Sequence, residues 1–267
     1  MFVVKVPGIN GLGRTKGCEK AGNSILAELK EIYSNERGIP IDVKLLDLEE
    51  IHLDNSNLEL TNRLIYANAL EIFSEKQKTV FLGGDHSISY SLVCAFLEHC
   101  KKIKEEPCLI VFDAHPDCMK PDKNFPVHEE WLSALIEKGF PPENVFLVGV
   151  RNIYPSEKIF LEKNKIKKMD MNQLFENLED SCDILMEFSK NKQIYISIDI
   201  DSIDPAFAPG TGYKEPGGLT SREFLYLIQR LHKLKNIRSV DLVEINPEKD
   251  IGGITVKLGA KILSELI

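Results

Sequence analysis

The chain has little that would tie it to a membrane, to nucleic acid or to an oxidising compartment. No apolar run approaches the ~20 residues a membrane span needs, and residues 1 to 7, although apolar, are too short for a signal peptide. Basic residues do not cluster: 33 of them stand against 41 acidic ones, a net charge of −8. The electrostatic footprint that a phosphate backbone requires is therefore missing. The six cysteines, Cys18, Cys94, Cys100, Cys108, Cys118 and Cys182, show no paired spacing of the zinc-ribbon or redox kind. Internal repeats, low-complexity tracts and Pro/Gly/Ser linkers are lacking too. These absences predict a cytoplasmic protein with no membrane anchor and no nucleic-acid partner, organised as one domain over residues 1 to 267.

What is present is a strand-and-helix alternation. With 43% apolar and 28% charged residues the chain can bury a sizeable core and solvate its surface. Short apolar runs at 2 to 6, 43 to 47, 79 to 83, 108 to 113, 145 to 150, 166 to 169, 193 to 199 and 239 to 245 read as strands. Between them, segments 19 to 34, 60 to 75, 87 to 102, 130 to 138, 171 to 188, 220 to 233 and 254 to 266 repeat apolar residues at helical spacing. That order predicts an α/β fold with a mainly parallel, about eight-stranded sheet covered by helices on both faces, a three-layer αβα domain. The runs at 108 to 112 and 194 to 198 are nearly continuous in apolar residues, as central strands covered on both faces should be. Residues 200 to 218, rich in Pro and Gly, form a long stiff loop of the kind that more often serves a site than merely connects.

Acidic and imidazole side chains gather where these strands end. Asp113, His115 and Asp117 follow one central run, and Asp199 and Asp201 end the other. A spacing of two projects alternate side chains of an extended chain to one face, and open α/β sheets place their ligand crevice at the carboxyl ends of strands. Any one of these residues alone would pass as a helix cap or turn former. Together they would crowd ionised carboxylates where burial is costly, unless positive charge is present. A third strand runs into Gly83-Gly84-Asp85-His86-Ser87 and adds a second imidazole. Two imidazoles and four carboxylates suit manganese or another hard to borderline divalent ion, and their charge balances two such ions. Bridging carboxylates can hold a pair ~3.5 to 4 Å apart, where a shared water loses a proton near neutral pH. Cys118 reads as a packed neighbour of Asp117.

The segments Gly83-Gly84-Asp85-His86-Ser87, Asp113-Ala114-His115-Pro116-Asp117 and Ser197-Ile198-Asp199-Ile200-Asp201-Ser202-Ile203-Asp204-Pro205 resemble the three metal-binding motifs of the ureohydrolase family, which includes arginase and agmatinase. The similarity continues through Pro209-Gly210-Thr211-Gly212, Pro216-Gly217-Gly218-Leu219-Thr220 and Asp241-Leu242-Val243-Glu244-Ile245-Asn246-Pro247, covering roughly residues 80 to 250. The resemblance implies an arginase-like domain and two Mn2+ ions. His86, Asp113, Asp117 and Asp199 would hold one; Asp113, His115, Asp199 and Asp201 would hold the other, with Asp113 and Asp199 as bridges. Asp85 and Asp204 match motif positions outside the ligand set and read equally well as orienting groups or as turn and cap residues. By the same resemblance Glu244 would accept the substrate guanidinium, Asp201 would help stabilise the tetrahedral intermediate, and His128 would pass a proton to the leaving amine. Val240, Leu242 and Glu244 alternate, which places Glu244 on a strand face with two buried apolar residues. The family usually follows the proton-shuttling histidine with glycine, whereas Glu129 follows His128, and Glu130-Trp131 can begin a helix.

The implied substrate is a small guanidino compound, and the departures from the family fall where its tail would bind. Residues 118 to 124 lack the Asn/Thr/Ser-rich character by which arginases hold the amino-acid end, which favours agmatine. Tyr213-Lys214 replaces the usual Thr-Pro, and Lys214 can meet a carboxylate, which suits arginine or a guanidino acid. Formimidoylglutamase is less favoured because that branch generally lacks a histidine at the position of His128. An alternative of another class is a catalytically silent, metal-binding homologue acting as a regulator, motivated by Glu129, Tyr213 and Lys214. The loop Gly11-Leu12-Gly13-Arg14-Thr15-Lys16-Gly17-Cys18 lacks the Lys-Ser/Thr ending of a P-loop and reads as a rim of the active site. Family members commonly form homo-oligomers, trimers or hexamers, and the resemblance carries that expectation here.

Overall fold

The computed structural model describes residues 1–10, 13–122 and 125–267. Gly11 and Leu12 of the rim loop, and Lys123 and Asn124 of the loop after Asp117, lie outside the described residues. Among those described, eight strands form one all-parallel sheet: β1 Phe2–Val6, β2 Asp47–Glu50, β3 Thr79–Gly83, β4 Pro107–Phe112, β5 Val145–Val150, β6 Lys167–Asp170, β7 Gln193–Asp199 and β8 Ile237–Val243. Their spatial order is β2-β1-β3-β8-β7-β4-β5-β6. The chain builds one flank with β1 to β3 and the other with β4 to β6, then returns to fill the middle with β7 and β8. Four adjacent central strands, β3, β8, β7 and β4, thus end side by side.

The helices are α1 Ala21–Leu29, α2 Leu58–Glu75, α3 Ile88–Ile103, α4 Trp131–Glu137, α5 Pro155–Asn164, α6 Met171–Glu176, α7 Leu178–Phe188, α8 Ser221–Leu231 and α9 Ile254–Leu266. Strand residues alternate between two apolar layers, as the two-residue period of a strand requires. Val80, Leu82, Ile110 and Phe112 pack with α1 and α6 to α9, for example Ile25, Phe224 and Ile262. Phe81, Leu109 and Val111 pack with α2 to α5, for example Phe73, Phe96 and Trp131. The three-layer α/β expectation is met. No helix among the described residues is long and apolar enough to cross a membrane.

Several boundaries differ from the sequence reading. The run 43 to 47 is not a strand: Val43–Leu45 form a single 3₁₀ turn capped by Asp42, and the strand is the exposed, acidic Asp47–Glu50. It pairs only with β1 at the sheet edge, where charge discourages further strand addition and the apolar signal of a buried strand is missing. The segment 171 to 188 is two helices because the Asn177 side chain accepts from the backbone N–H of Glu179 and Asp180 and starts a new one. Residues 19 to 34 stay helical only to Leu29 after a 3₁₀ turn at Cys18–Lys20. Helix α5 escaped the periodicity because only Glu157 and Leu161 of its residues are buried. Its start is marked instead by Pro155 in the first turn.

Candidate metal centre and active site

His86 reaches the site because the backbone after β3 turns within a space too small for a side chain. A Cβ on Gly84 would lie 1.9 Å from the Gly8 carbonyl oxygen. Asp113 stands one residue past β4, and its backbone N–H donates to Val148 O at 3.0 Å. Asp117 holds a left-handed φ of 50°, a conformation that non-glycine residues sustain mainly where the surroundings impose it. Asp199 ends β7, and Asp201 sits in the 3₁₀ turn Ile200–Ser202 that follows.

All six expected ligands come together. His86 Nδ1 lies 3.0 Å from Asp113 Oδ2, 2.9 Å from Asp117 Oδ2 and 3.2 Å from Asp199 Oδ2. His115 Nδ1 lies 3.0 Å from Asp201 Oδ2 and 3.6 Å from Asp113 Oδ1. Ligand atoms of His86, Asp113 and Asp199 fall within 4.8 Å of one another, as do those of Asp113, His115 and Asp201. Asp113 is common to both groups. Asp199, expected in both, converges with His86 and Asp113 in the first. Asp117 stands at the margin of the first, its Oδ2 also accepting from the indole N–H of Trp131 at 3.0 Å.

The donor set fits divalent cations. His86 Nδ1 and Asp113 Oδ2 are buried without a hydrogen-bond partner among the described residues, despite their proximity. Three carboxylate oxygens converge on one ring nitrogen, which can present at most one proton, so directed hydrogen bonds cannot satisfy the group. Charge crowding is equally plain. Burial and the Asp113 charge push Asp117 up to about 7. Burial and neighbouring aspartates raise Asp199 and Asp201 as well. Burial would raise Asp113 too, but His115 and His86 hold it well below the usual carboxylate range. Burial would lower both imidazoles, and the carboxylates beside them raise them instead. A cluster that recruits protons in this way is one that positive charge would stabilise.

Glu244 is buried at the same end of the sheet, although not by strand alternation. Strand β8 stops at Val243, and Glu244 follows with φ 62°; the left-handed turn, rather than a face shared with Val240 and Leu242, aims it. Its Oε1 accepts from the His86 backbone N–H at 3.0 Å, and the Cys18 thiol lies 3.8 Å from Oε2. Burial and Asp85 raise its pKa well above the ordinary value. His128 precedes α4 in a turn, 6% exposed, and its Nδ1 has no partner among the described residues. Burial lowers the His128 pKa from the ordinary imidazole value. Both residues line a cavity of about 310 Å³ with His115, Asp117, Asp199 and Asp201.

The remaining expectations divide. Cys118 is packed, 2% exposed. Among the described residues Asp85 and Asp204 make no hydrogen bond to a ligand imidazole or carboxylate, and both accept backbone N–H donors as turn and cap residues do. Asp85 ties the rim loop down through Asn10 N at 2.8 Å and Thr15 Oγ1 at 3.0 Å. Asp204 accepts from the backbone N–H of Ala206, Gly217 and Gly218. Tyr213 lines the cavity and Lys214 does not. The rim reading of residues 11 to 18 gave Arg14 no role of its own, and its guanidinium stands 5.1 Å from the Tyr213 ring centroid on the cavity wall. Sequence reasoning missed Glu215, Ser197 and Asp241, which contact the imidazoles directly or through one intermediate.

Comparison with known proteins agrees with this geometry. The sequence profile described as the arginase family matches residues 2–267. An arginase of Staphylococcus aureus (strain MRSA252) is 28% identical over 253 residues, 86% of this chain and 82% of the relative. A mitochondrial arginase of Medicago truncatula is 31% identical over 233 residues, 84% of this chain but 64% of the longer plant protein. Among solved structures, proclavaminate amidino hydrolase from Streptomyces clavuligerus superposes with a TM-score of 0.88 at 25% identity, covering 99% of this chain and 89% of that one. Sheet order, ligand cluster and full-length match converge: the chain belongs to the arginase family of ureohydrolases.

Proposed function

We propose that the protein hydrolyses a guanidino carbon–nitrogen bond to release urea, with agmatine as its preferred substrate and putrescine as the second product. The observation that carries this reading is the juxtaposition, in one cavity, of the buried carboxylate of Glu244 with the two groups of candidate ligands. His86, Asp113, Asp117 and Asp199 would hold one divalent ion, manganese by preference, and Asp113, His115, Asp199 and Asp201 the other. Such ions supply Lewis acidity and bring a shared water toward ionisation near neutral pH.

The chain's own residues provide the rest. Glu244 Oε1 is fixed by the His86 N–H, so the carboxylate is held ready for a planar guanidinium that donates two hydrogen bonds to it. Asp201 Oδ1 accepts from Ala114 N at 3.0 Å, which fixes the carboxylate where negative charge and protons are exchanged as the carbon becomes tetrahedral. Water adds to the guanidinium carbon, the bond to the alkyl nitrogen breaks, and that nitrogen leaves as an amine after gaining a proton. His128, whose Nδ1 has no partner among the described residues, is placed to take the proton that the attacking water gives up and pass it to that nitrogen. His128→Asn is expected to lower kcat by about 10² to 10⁴ while leaving metal content unchanged, measured by urea release beside elemental analysis. Unchanged kcat removes the shuttle role.

The tail end supports agmatine. Among the described residues after Asp117 the cavity wall offers Met119, Lys214 is not one of the described lining residues, and Glu129 and Glu215 add negative charge that suits an ammonium. Arg14 favours a second reading, arginine or another guanidino acid, because it is the one cationic side chain among the described lining residues apart from imidazoles. Urea release from manganese-loaded protein should be fastest with agmatine, against arginine, guanidinobutyrate and guanidinopropionate. Faster turnover of a carboxylate-bearing substrate establishes the second reading. Formamide release from formimidoylglutamate in place of urea moves the protein to that branch. Retained metal with no turnover of any of these identifies a silent homologue.

A further inference from the structure

Each imidazole of the ligand cluster has a second nitrogen, and the structure gives the two rings different partners. His86 Nε2 lies 2.9 Å from Ser197 Oγ, which lies 2.7 Å from Asp241 Oδ1. Asp241 is fully buried, and its Oδ2 accepts from Ser89 Oγ and Tyr195 OH, each at 2.8 Å. A hydroxyl has one proton to give. Three hydroxyls surround Asp241, as befits an ionised carboxylate that can only accept, so Ser197 directs its proton there. Its lone pairs then face His86, Nε2 must be a protonated nitrogen, and Nδ1 is the nitrogen that would offer its lone pair to an ion held beside Asp113, Asp117 and Asp199.

His115 is held otherwise. Its Nε2 lies 3.3 Å from Glu215 Oε1, an oxygen that also accepts from Asn152 Nδ2 at 2.8 Å. The guanidinium of Arg151 locks the surrounding loop by donating to the backbone carbonyls of Glu215 and Asp201, both at 2.6 Å, and to that of Pro216 at 3.2 Å. The Glu215 carboxylate fixes the proton on Nε2 and frees Nδ1 toward Asp201. The His115 and Glu215 side chains remain 22% and 27% exposed and line the substrate cavity, whereas His86 is 0% exposed.

We propose that Asp241, acting through Ser197, and Glu215, acting directly, are positioning residues that set the ring tautomers of His86 and His115. Each supports one ion position, and the two positions are held unequally: one behind a sealed relay, the other behind a rim carboxylate. The proposal rests on the reading that two divalent ions occupy the cluster. Groups that orient metal-binding imidazoles typically change ion affinity by about 10- to 100-fold when removed.

Calorimetric titration of the metal-free full-length protein with Mn2+, followed by electron paramagnetic resonance of the loaded protein, separates the possibilities. Wild type should take up two ions and give the spectrum of a spin-coupled pair. Glu215→Gln should weaken one binding event by about 10- to 100-fold and, at limiting manganese, give the spectrum of an isolated ion. Ser197→Ala should weaken the other event, and Ser197→Thr, which keeps the hydroxyl, should restore it. Wild-type affinity for both ions in Glu215→Gln overturns the proposal whatever the Ser197 variants do, as does equal weakening of both events in either variant. A wild type that binds no ion instead defeats the underlying reading, which the same titration shows before any variant is made.

Discussion

Asp113→Asn is expected to eliminate stable double metal occupancy and reduce urea release to background. Asp113 is shared by both groups of converging candidate ligands among the described residues, so its charge would screen the ions from each other. Two doubly charged ions ~3.5 Å apart repel by about 5 kcal/mol even at the dielectric constant of water. Weakening that screen can lower double occupancy by ~10³ to 10⁴. Asparagine preserves the shape and removes the charge, so elemental analysis together with a urea assay checks the prediction. Full loading and full activity in this variant refute the bridging role. Asp199 lies within hydrogen-bonding range of His86 and accepts from Asp201 N at 2.8 Å through its other oxygen, and Asp199→Asn should lose at least the first ion.

Removing the metals with a chelator is expected to lower the melting temperature, and more so as pH rises. An ion present at ~1,000 times its dissociation constant stabilises the folded state by about 4 kcal/mol. At ~2 to 4 °C per kcal/mol for chains of comparable size, that amounts to roughly 10 °C or more. The pH dependence follows from the sign of each shift. Asp117, at about 7 in the folded protein, and Asp199, Asp201 and Glu244, all raised, bind protons in the folded state that the unfolded chain has released. Stability of the metal-free protein therefore falls as pH climbs from the unfolded carboxylate value of ~4 through about 7. The imidazoles act in the same sense, since raised folded values give stability that is full below ~6.5 and is lost as pH rises through them. Asp113 opposes them only in acid, because its folded value is depressed and its contribution is present above ~4. Thermal scans of metal-free protein from pH 5 to 8 should show a decline that added manganese removes. A melting temperature that ignores manganese throughout contradicts the electrostatic account.

Much of the fold and most of the candidate site were legible in the sequence, and the failures have physical causes. Central strands such as β4 and β7 are buried on both faces, so their apolar runs stand out, and ligands placed every second residue after them declare a common direction. Strand β2 was misplaced because an exposed edge strand needs no apolar residues, while the nearby Val43, Leu45 and Leu46 formed a more conspicuous cluster. Glu244 reaches the cavity by a different geometry from the strand alternation read in the sequence, since a left-handed backbone angle at a non-glycine residue leaves no mark in sequence. The partners of the imidazoles escaped notice because their contacts span 111 residues for His86 and Ser197 and 100 for His115 and Glu215. Asp241 alone carried a signal, a carboxylate within a buried strand that must find donors there. Arg14 stands on the cavity wall beside Tyr213, 199 residues away in sequence.

Anomalous diffraction from crystals grown with manganese addresses the central claim most directly. Two peaks about 3.5 to 4 Å apart are expected, one beside His86 and the other beside His115, with Asp113 touching both. A single peak, or manganese bound away from these side chains, would show that their convergence serves some purpose other than a pair of ions.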